Sequence, residues 1–253
     1  MASLLKRIAL AAAFVLAATA LSAAQMSMPL RTTGVLIPLY VSPGKDWDRV
    51  IGAKYAHVLV PVVIVANVDN GPGNESASAY RDYIEKAQKA GIDVLGYVYT
   101  RYGKRSQSDV DADMLKWYDF YHTDGVFLDQ MADDASYYQA ATAYAHAHSL
   151  WFVVGNPGEN VAGNSGPDVI NFYEQQGYPS RSLLQSSRLR AYGKGRWSYI
   201  ADDVAFNLDR IVLSTHYVAY LYATDGEEPE CYCHLPSYFS KLMQLLERQQ
   251  LTK

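Results

Sequence analysis

Short apolar runs rich in β-branched residues recur along the chain at residues 34–41, 57–65, 92–99, 125–129, 150–155, 169–173, 197–201 and 217–223, and each reads as a strand. Between them, apolar positions return at helical spacing over 79–90, 110–121, 135–148, 181–192 and 204–213, with a further helix at 236–246 after the last strand. The first connection, 46–55, is short and weakly helical. The strand runs are almost continuously apolar, which suits strands covered by helices on both faces and so a parallel sheet. Strict alternation of strand and helix indicates an α/β architecture, and eight strands indicate one compact (β/α)8 barrel of TIM type. An open doubly wound sheet would carry a glycine-rich phosphate turn after its first strand. Here that turn reads Tyr40-Val41-Ser42-Pro43-Gly44.

Punctuation agrees with this alternation. Ser108 is placed to cap the helix at 110–121, with Asp109 and Asp111 favourable in its first turn. Gly91 suits a left-handed end for the helix before it, and Asp134 suits the N-cap of the helix at 135–148.

The first 24 residues change the domain picture. Lys6 and Arg7 precede an apolar run from Ile8 to Leu21, followed by the small residues Ser22, Ala23 and Ala24. That is the pattern of a secretory signal peptide, and the run is too short for a membrane span of about 20 apolar residues. Residues 1–24 are therefore expected to be removed on export, leaving 25–253 as a single secreted or periplasmic domain, not held by a membrane and monomeric. Losing the two basic residues takes the formal charge from −4 for the whole chain to −6. An acidic product makes nucleic acid an unsuitable partner. The two cysteines, Cys231 and Cys233, are too few for a disulfide framework, and with His234 they fall short of a zinc ligand set. No metal and no cofactor is expected.

In a barrel of this kind the reactive groups stand at the C-terminal ends of the strands. Those ends supply Tyr40, Asn67, Asp69, Tyr97, Tyr99, Asp129, Gln130, Asn156, Glu174, Asp202, Tyr222 and Asp225. Glycoside hydrolysis needs two carboxyl groups, one to protonate the leaving oxygen and one to attack the anomeric carbon or activate water. Asp129, closing Gly125-Val-Phe-Leu-Asp129, and Glu174, closing Val169-Ile-Asn-Phe-Tyr-Glu174, occupy suitable positions. Either alone reads more readily as a helix cap or turn former than as a catalytic group, and it is the pair in this register that points to catalysis. The chain holds 21 tyrosines against 7 phenylalanines, and tyrosine rings can stack on pyranose faces or simply pack helices on a sheet. Tyr97, Tyr99 and Tyr222 are the better sugar-facing candidates because of their strand-end positions.

Several segments together resemble the spherulin 4 family, which is related to secreted endo-α-1,4-galactosaminidases. They are Gly34-Val-Leu-Ile-Pro-Leu-Tyr40, Asn70-Gly-Pro-Gly73, Gly91-Ile-Asp-Val-Leu-Gly-Tyr97-Val-Tyr-Thr100, Asp124-Gly-Val-Phe-Leu-Asp129, Asn156-Pro-Gly158, Ala223-Thr-Asp225 and Leu235-Pro-Ser-Tyr238. The resemblance implies a metal-independent (β/α)8 glycoside hydrolase acting on polymers of galactosamine or N-acetylgalactosamine. It further implies Asp129 as nucleophile and Glu174 as acid/base. Tyr40, Asn67, Asp69, Tyr97, Tyr99, Asn156, Tyr222 and Asp225 are the expected sugar-binding side chains. Two departures stand out: Gln130 occupies the position where relatives carry a glutamate after the aspartate, and Ala66-Asn67-Val68-Asp69-Asn70 replaces an Asn-Pro-Asn pattern. The first raises the alternative of a catalytically silent polysaccharide-binding barrel.

Overall fold

The computed structural model describes residues 32–157, 166–227 and 231–252. The signal segment expected at 1–24 lies outside these residues. Eight strands, β1 (Gly34–Leu39), β2 (Val62–Ala66), β3 (Asp93–Tyr99), β4 (Gly125–Asp129), β5 (Phe152–Asn156), β6 (Val169–Gln176), β7 (Trp197–Asp202) and β8 (Tyr220–Ala223), pair in parallel in chain order. Gly34 of β1 pairs with Tyr220 of β8, so the sheet closes into a barrel. No helix among the described residues is long and apolar enough to cross a membrane.

The helices are α1 (Lys45–Ala56), α2 (Ser78–Lys89), α3 (Gln107–Tyr121), α4 (Ala135–Ala147), α5 (Arg181–Leu184), α6 (Ser187–Tyr192), α7 (Leu208–Ser214) and α8 (Phe239–Leu251). The longer helices bury an apolar face, while α5 and α6 bury one leucine each, Leu184 and Leu189. In α3 that face is Val110, Met114, Trp117 and Tyr121, all buried. Trp117 fits because residue 96 lacks a side chain: a Cβ on Gly96 would stand 2.2 Å from the indole. Its ring N–H donates to the Tyr97 carbonyl at 2.8 Å. Burying such a ring is worth on the order of 4–6 kcal/mol before conformational entropy is set against it. This contact locks α3 onto β3 and so fixes the backbone from which Tyr97 projects.

Several local expectations are corrected. The weak pattern at 46–55 forms the full helix α1, because Trp47, Val50 and Ile51 give it a buried face that Lys and Asp dilute only on the outside. The second strand starts at Val62, not His57. A turn closed by Val60 N–H to the His57 carbonyl at 3.1 Å occupies the intervening residues. The cap of α3 is Ser106, whose Oγ accepts from Asp109 N–H at 3.2 Å, while Ser108 bonds only to the Ser106 hydroxyl. The helical pattern at 181–192 is two short helices, since Ser180 and Ser186 each cap a new start. The helix expected from 204 begins at Leu208, capped by Asn207. Asp134 caps α4, and Gly91 takes a φ of 79°, both as the sequence indicates.

At the N-terminal end of the barrel Asp93 is held in the sheet beside Asp124, with the Lys54 ammonium nearby. Burial, then Asp124, pushes its carboxyl up from 3.8 to about 6. A group that binds its proton more tightly when folded stabilises the fold below its unfolded value, and that contribution is lost as pH rises through the folded value. The wild-type protein should therefore lose roughly 1–3 kcal/mol from this source between about pH 4 and pH 6. Asp93→Asn should flatten that decline, visible as a higher melting temperature near pH 7 with little difference near pH 4. Equal melting curves at both pH values would contradict it.

Candidate active site

The C-terminal rim is built by register. Tyr99 of β3 lies opposite Asp129 of β4, and Asp129 opposite Asn156 of β5, so the ends of three strands reach one level. Tyr97, two residues earlier than Tyr99, shares its face of the sheet. Glu174 arrives differently. Asn171 of β6 pairs with Ser198, yet Glu174 pairs with Ile200, so β6 spends three residues where β7 spends two. Simple alternation would turn Asn171 and Glu174 to opposite faces; the bulge brings both to the same side.

There the two acids meet one amide. Asn156 Nδ2 donates to Asp129 Oδ1 at 2.8 Å and to Glu174 Oε2 at 2.6 Å. Two bonds to one nitrogen keep those oxygens within about 5.4 Å of each other, the sum of their lengths. The amide cannot turn over, because Asn156 Oδ1 accepts from Asn171 Nδ2 at 2.8 Å and Asn171 Oδ1 in turn accepts from Ser198. Asn156 is 4% exposed and Asn171 fully buried. The remaining carboxylate oxygens are met by phenols: Tyr97 donates to Asp129 Oδ2 at 2.7 Å, and Tyr232 donates to Glu174 Oε1.

Tyr40 closes the set. Its ring packs edge-on against Tyr97, centroids 5.6 Å apart, and against Tyr232 at 5.5 Å. Burial, then Asp129, drives the Tyr97 phenol far above its ordinary value; burial, then Glu174, does the same to Tyr232; and burial, then Asp129 and Glu174, raises Tyr40. Each shift favours the protonated phenol, and Tyr97 and Tyr232 donate that proton in hydrogen bonds to Asp129 and Glu174.

The backbone of Asp129 is clamped from below. Thr100, fully buried, donates its hydroxyl to the Asp129 carbonyl at 2.7 Å and the Gln130 carbonyl at 2.8 Å, and meets Tyr138 Oη at 2.9 Å. Gln130, Arg101 and Tyr102 all sit at left-handed φ values of 50–55°. Tyr102 N–H donates to the Gln130 carbonyl at 2.7 Å, tying the two loops together. Strained non-glycine residues of this kind cost of order 1–3 kcal/mol each and cluster at working sites.

A cavity of about 500 Å³ opens over this arrangement, lined by Tyr40, Asn67, Tyr97, Asp129, Gln130, Asn156 and Glu174, together with Tyr102, Pro157 and Tyr232. A second hollow of about 390 Å³ shares Glu174 and runs past Gln175, Gln176 and Asp202. Other candidates lie elsewhere. Tyr222 is fully buried and lines neither hollow. Asp225 is spent on Ser237, whose N–H it accepts at 3.1 Å. Asp69 borders a separate surface dent with Asp113 and Lys116. Tyr99 is half-buried outside the cavity lining, and its carbonyl accepts from Arg105. Tyr232, Tyr102, Pro157 and Asn171 were not singled out by sequence. Asn171 carried a signal, being a lone amide in an apolar strand. Tyr232, nine residues after the last expected strand, carried none. Among the described residues no group of three or more His, Cys, Asp or Glu side chains is arranged to hold a metal ion.

The sequence profile of Spherulation-specific family 4 matches residues 34–246, from the first barrel strand into α8. The chain belongs to Spherulation-specific family 4. Spherulin-4 of Physarum polycephalum is 30% identical over 229 residues, covering 82% of this chain and 68% of its own. Among solved structures, Aspergillus clavatus Sph3 in complex with GalNAc superposes with a TM-score of 0.72 at 20% identity, covering 85% of this chain and 98% of Sph3. The Rhizomucor miehei chitinase RmChi1 superposes with a TM-score of 0.50 at 8% identity, covering 86% of this chain and 99% of its own. At such identities the structural likenesses establish the barrel for this family member, not its chemistry.

Proposed function

We propose that this family member is an exported glycoside hydrolase that cleaves an amino-sugar polymer built from galactosamine or N-acetylgalactosamine, with Asp129 as nucleophile and Glu174 as acid/base. The observation that carries this reading is the single amide of Asn156 bonded to both carboxylates at the floor of an open cavity. The spacing it enforces suits the retaining geometry, in which the carboxyl groups lie about 5–5.5 Å apart, better than the inverting one of about 6.5–9.5 Å. Glu174 gives its proton to the glycosidic oxygen as the C–O bond breaks, and Asp129 bonds to the anomeric carbon. Water then attacks that carbon, Glu174 takes the water's proton, and Asp129 leaves as carboxylate.

Charge and shape support the substrate class. Neither hollow is lined by Lys, Arg or His, while Asp129, Glu174 and Asp202 all border them. Such a cleft disfavours sulfated or uronic polymers and accepts neutral or cationic sugars. Tyr40 and Tyr102 offer ring faces, and Tyr102 is 55% exposed at the rim, where a sugar can stack on it. The presence of GalNAc in the Sph3 complex favours the same class. Residues 1–24 would direct export, and neither a metal nor a cofactor takes part.

Incubation of the purified protein with a galactosamine-rich polymer tests the reading. New reducing ends, formed with the anomeric configuration of the substrate in the first minutes by NMR, are the expected outcome. Inverted product would overturn the role of Asp129. Tight binding without reducing ends would select the silent binding barrel that Gln130, on the cavity wall, first suggests.

A further inference from the structure

Glu174 is held from two sides by groups of different origin. Asn156, on the rigid end of β5, takes Oε2; Tyr232, on the loop between β8 and α8, takes Oε1. The Asn156 amide is fixed in orientation by Asn171, so Oε2 keeps its donor whatever occupies the cavity. Oε1 is then the oxygen through which a proton can pass to a substrate. A hydroxyl bonded to it stands where a glycosidic oxygen must stand to receive that proton, because both are oxygens at hydrogen-bond reach of the same atom.

We propose that Tyr232 is a positioning residue for Glu174, its hydroxyl occupying the place of the leaving-group oxygen in the free protein and yielding that place when substrate binds. This deepens the hydrolytic reading and rests on Glu174 being its acid/base. Tyr232 is held for such a task by its ring rather than its hydroxyl. The ring packs edge-on against Tyr40, with centroids 5.5 Å apart and planes at 75°, and Tyr40 rests likewise on Tyr97. The loop is anchored further on, where Asp225 accepts from Ser237. Loss of the phenol–carboxylate bond therefore leaves the ring with a seat.

The exchange has an electrostatic consequence. A donor to a carboxylate favours its ionised form. Among the described residues, Glu174 shares its hollows with Asp129 from β4, Tyr97 from β3, Tyr40 after β1 and Asp202 at the end of β7. None of these is cationic, and a carboxylate among them opposes a negative charge on Glu174. In the free protein the Tyr232 hydroxyl counters that opposition. Once a glycosidic oxygen, an acceptor only, displaces that hydroxyl, Glu174 loses a donor and holds its proton more tightly, which is the state the first chemical step requires.

Tyr232→Phe tests this, because it keeps the ring and removes the donor. The alkaline limb of kcat/KM reports Glu174 in the free enzyme, whereas that of kcat reports it with substrate bound. The variant should shift the first limb upward by about 0.5–1.5 pH units and leave the second in place. A residue that merely shaped the loop would lower activity without moving either limb. Equal shifts in both limbs, or none, would overturn the proposal. Carbon-13 titration of the Glu174 carboxyl in the free protein gives a reading that needs no turnover, and it should rise in Tyr232→Phe by the same amount. An unmoved Glu174 titration sinks the role of Tyr232 even in an active enzyme. A risen titration in a protein that releases no sugar keeps the hold of Tyr232 on Glu174 and removes the hydrolytic reading beneath it.

Discussion

Glu174→Gln should reduce polymer cleavage by about 10²–10⁴-fold, the usual worth of a positioned general acid, and Asp129→Asn should reduce it at least as far. The two losses differ in what restores them. A substrate whose leaving group departs without a proton, such as an aryl glycoside of low leaving-group pKa, bypasses Glu174 in the bond-breaking step. Glu174→Gln should regain most of its rate for that step, seen as a burst of released phenol. Asp129→Asn should regain nothing, since no covalent intermediate can form. Neither substitution should unfold the barrel. Either change relieves repulsion in a close pair of acids, and the new amide oxygen can still accept from Asn156 while its NH2 donates to the Tyr232 or Tyr97 hydroxyl, which turns to accept. Melting temperatures equal to or above that of the wild type are expected, as at sites where function is held against stability. If both variants responded alike to the activated substrate, the division of roles between Asp129 and Glu174 would fail.

The barrel was legible in the sequence because its signal is repeated eight times and each repeat is reinforced by burial. Strands covered on both faces read as unbroken apolar runs, and β4, Gly125–Asp129, has the same bounds in sequence and structure. What stayed hidden follows from the same physics. The bulge in β6 has no compositional mark, yet it alone decides that Glu174 faces Asn156. Read as a plain strand with Asn171 turned inward, that segment would send Glu174 outward. Tyr222 misled for the opposite reason: its strand-end position was right, but it ended buried instead of facing sugar. Tyr232 reaches the site from a loop with no periodicity at all, and only the path of the chain after β8 brings it beside Glu174. Position along a strand thus announced the four members of the network that sit on strand ends, Tyr97, Asp129, Asn156 and Glu174. The supporting residues Asn171, Thr100 and Tyr232 are defined by whom they bond, which one-dimensional spacing does not encode.

Asn156→Ala should cost the enzyme nearly as much as loss of either acid, though Asn156 neither gives nor takes a proton. Its amide donates to both carboxylates, so its removal leaves two neighbouring acids with less to offset their repulsion. The pair should then hold its first proton more tightly. Losing a donor raises the proton affinity of Asp129, which must be ionised to attack, so the acid limb of kcat/KM should move to higher pH by about one unit. At the pH optimum a fall of about 10²-fold is expected, because Asp129 and Glu174 lose the fixed separation that near-attack geometry requires. Stability should drop as well, by about 1–3 kcal/mol, since Asn171, fully buried, would lose the acceptor for its amide. Asn156→Asp sharpens the test by keeping size while replacing the shared donor with a third acid. It should be the more damaging of the two above about pH 5 and should recover toward the alanine variant as the added carboxyl takes up a proton. A pH profile for Asn156→Ala superimposable on that of the wild type, scaled only in height, would mean that the amide spaces the acids without tuning them.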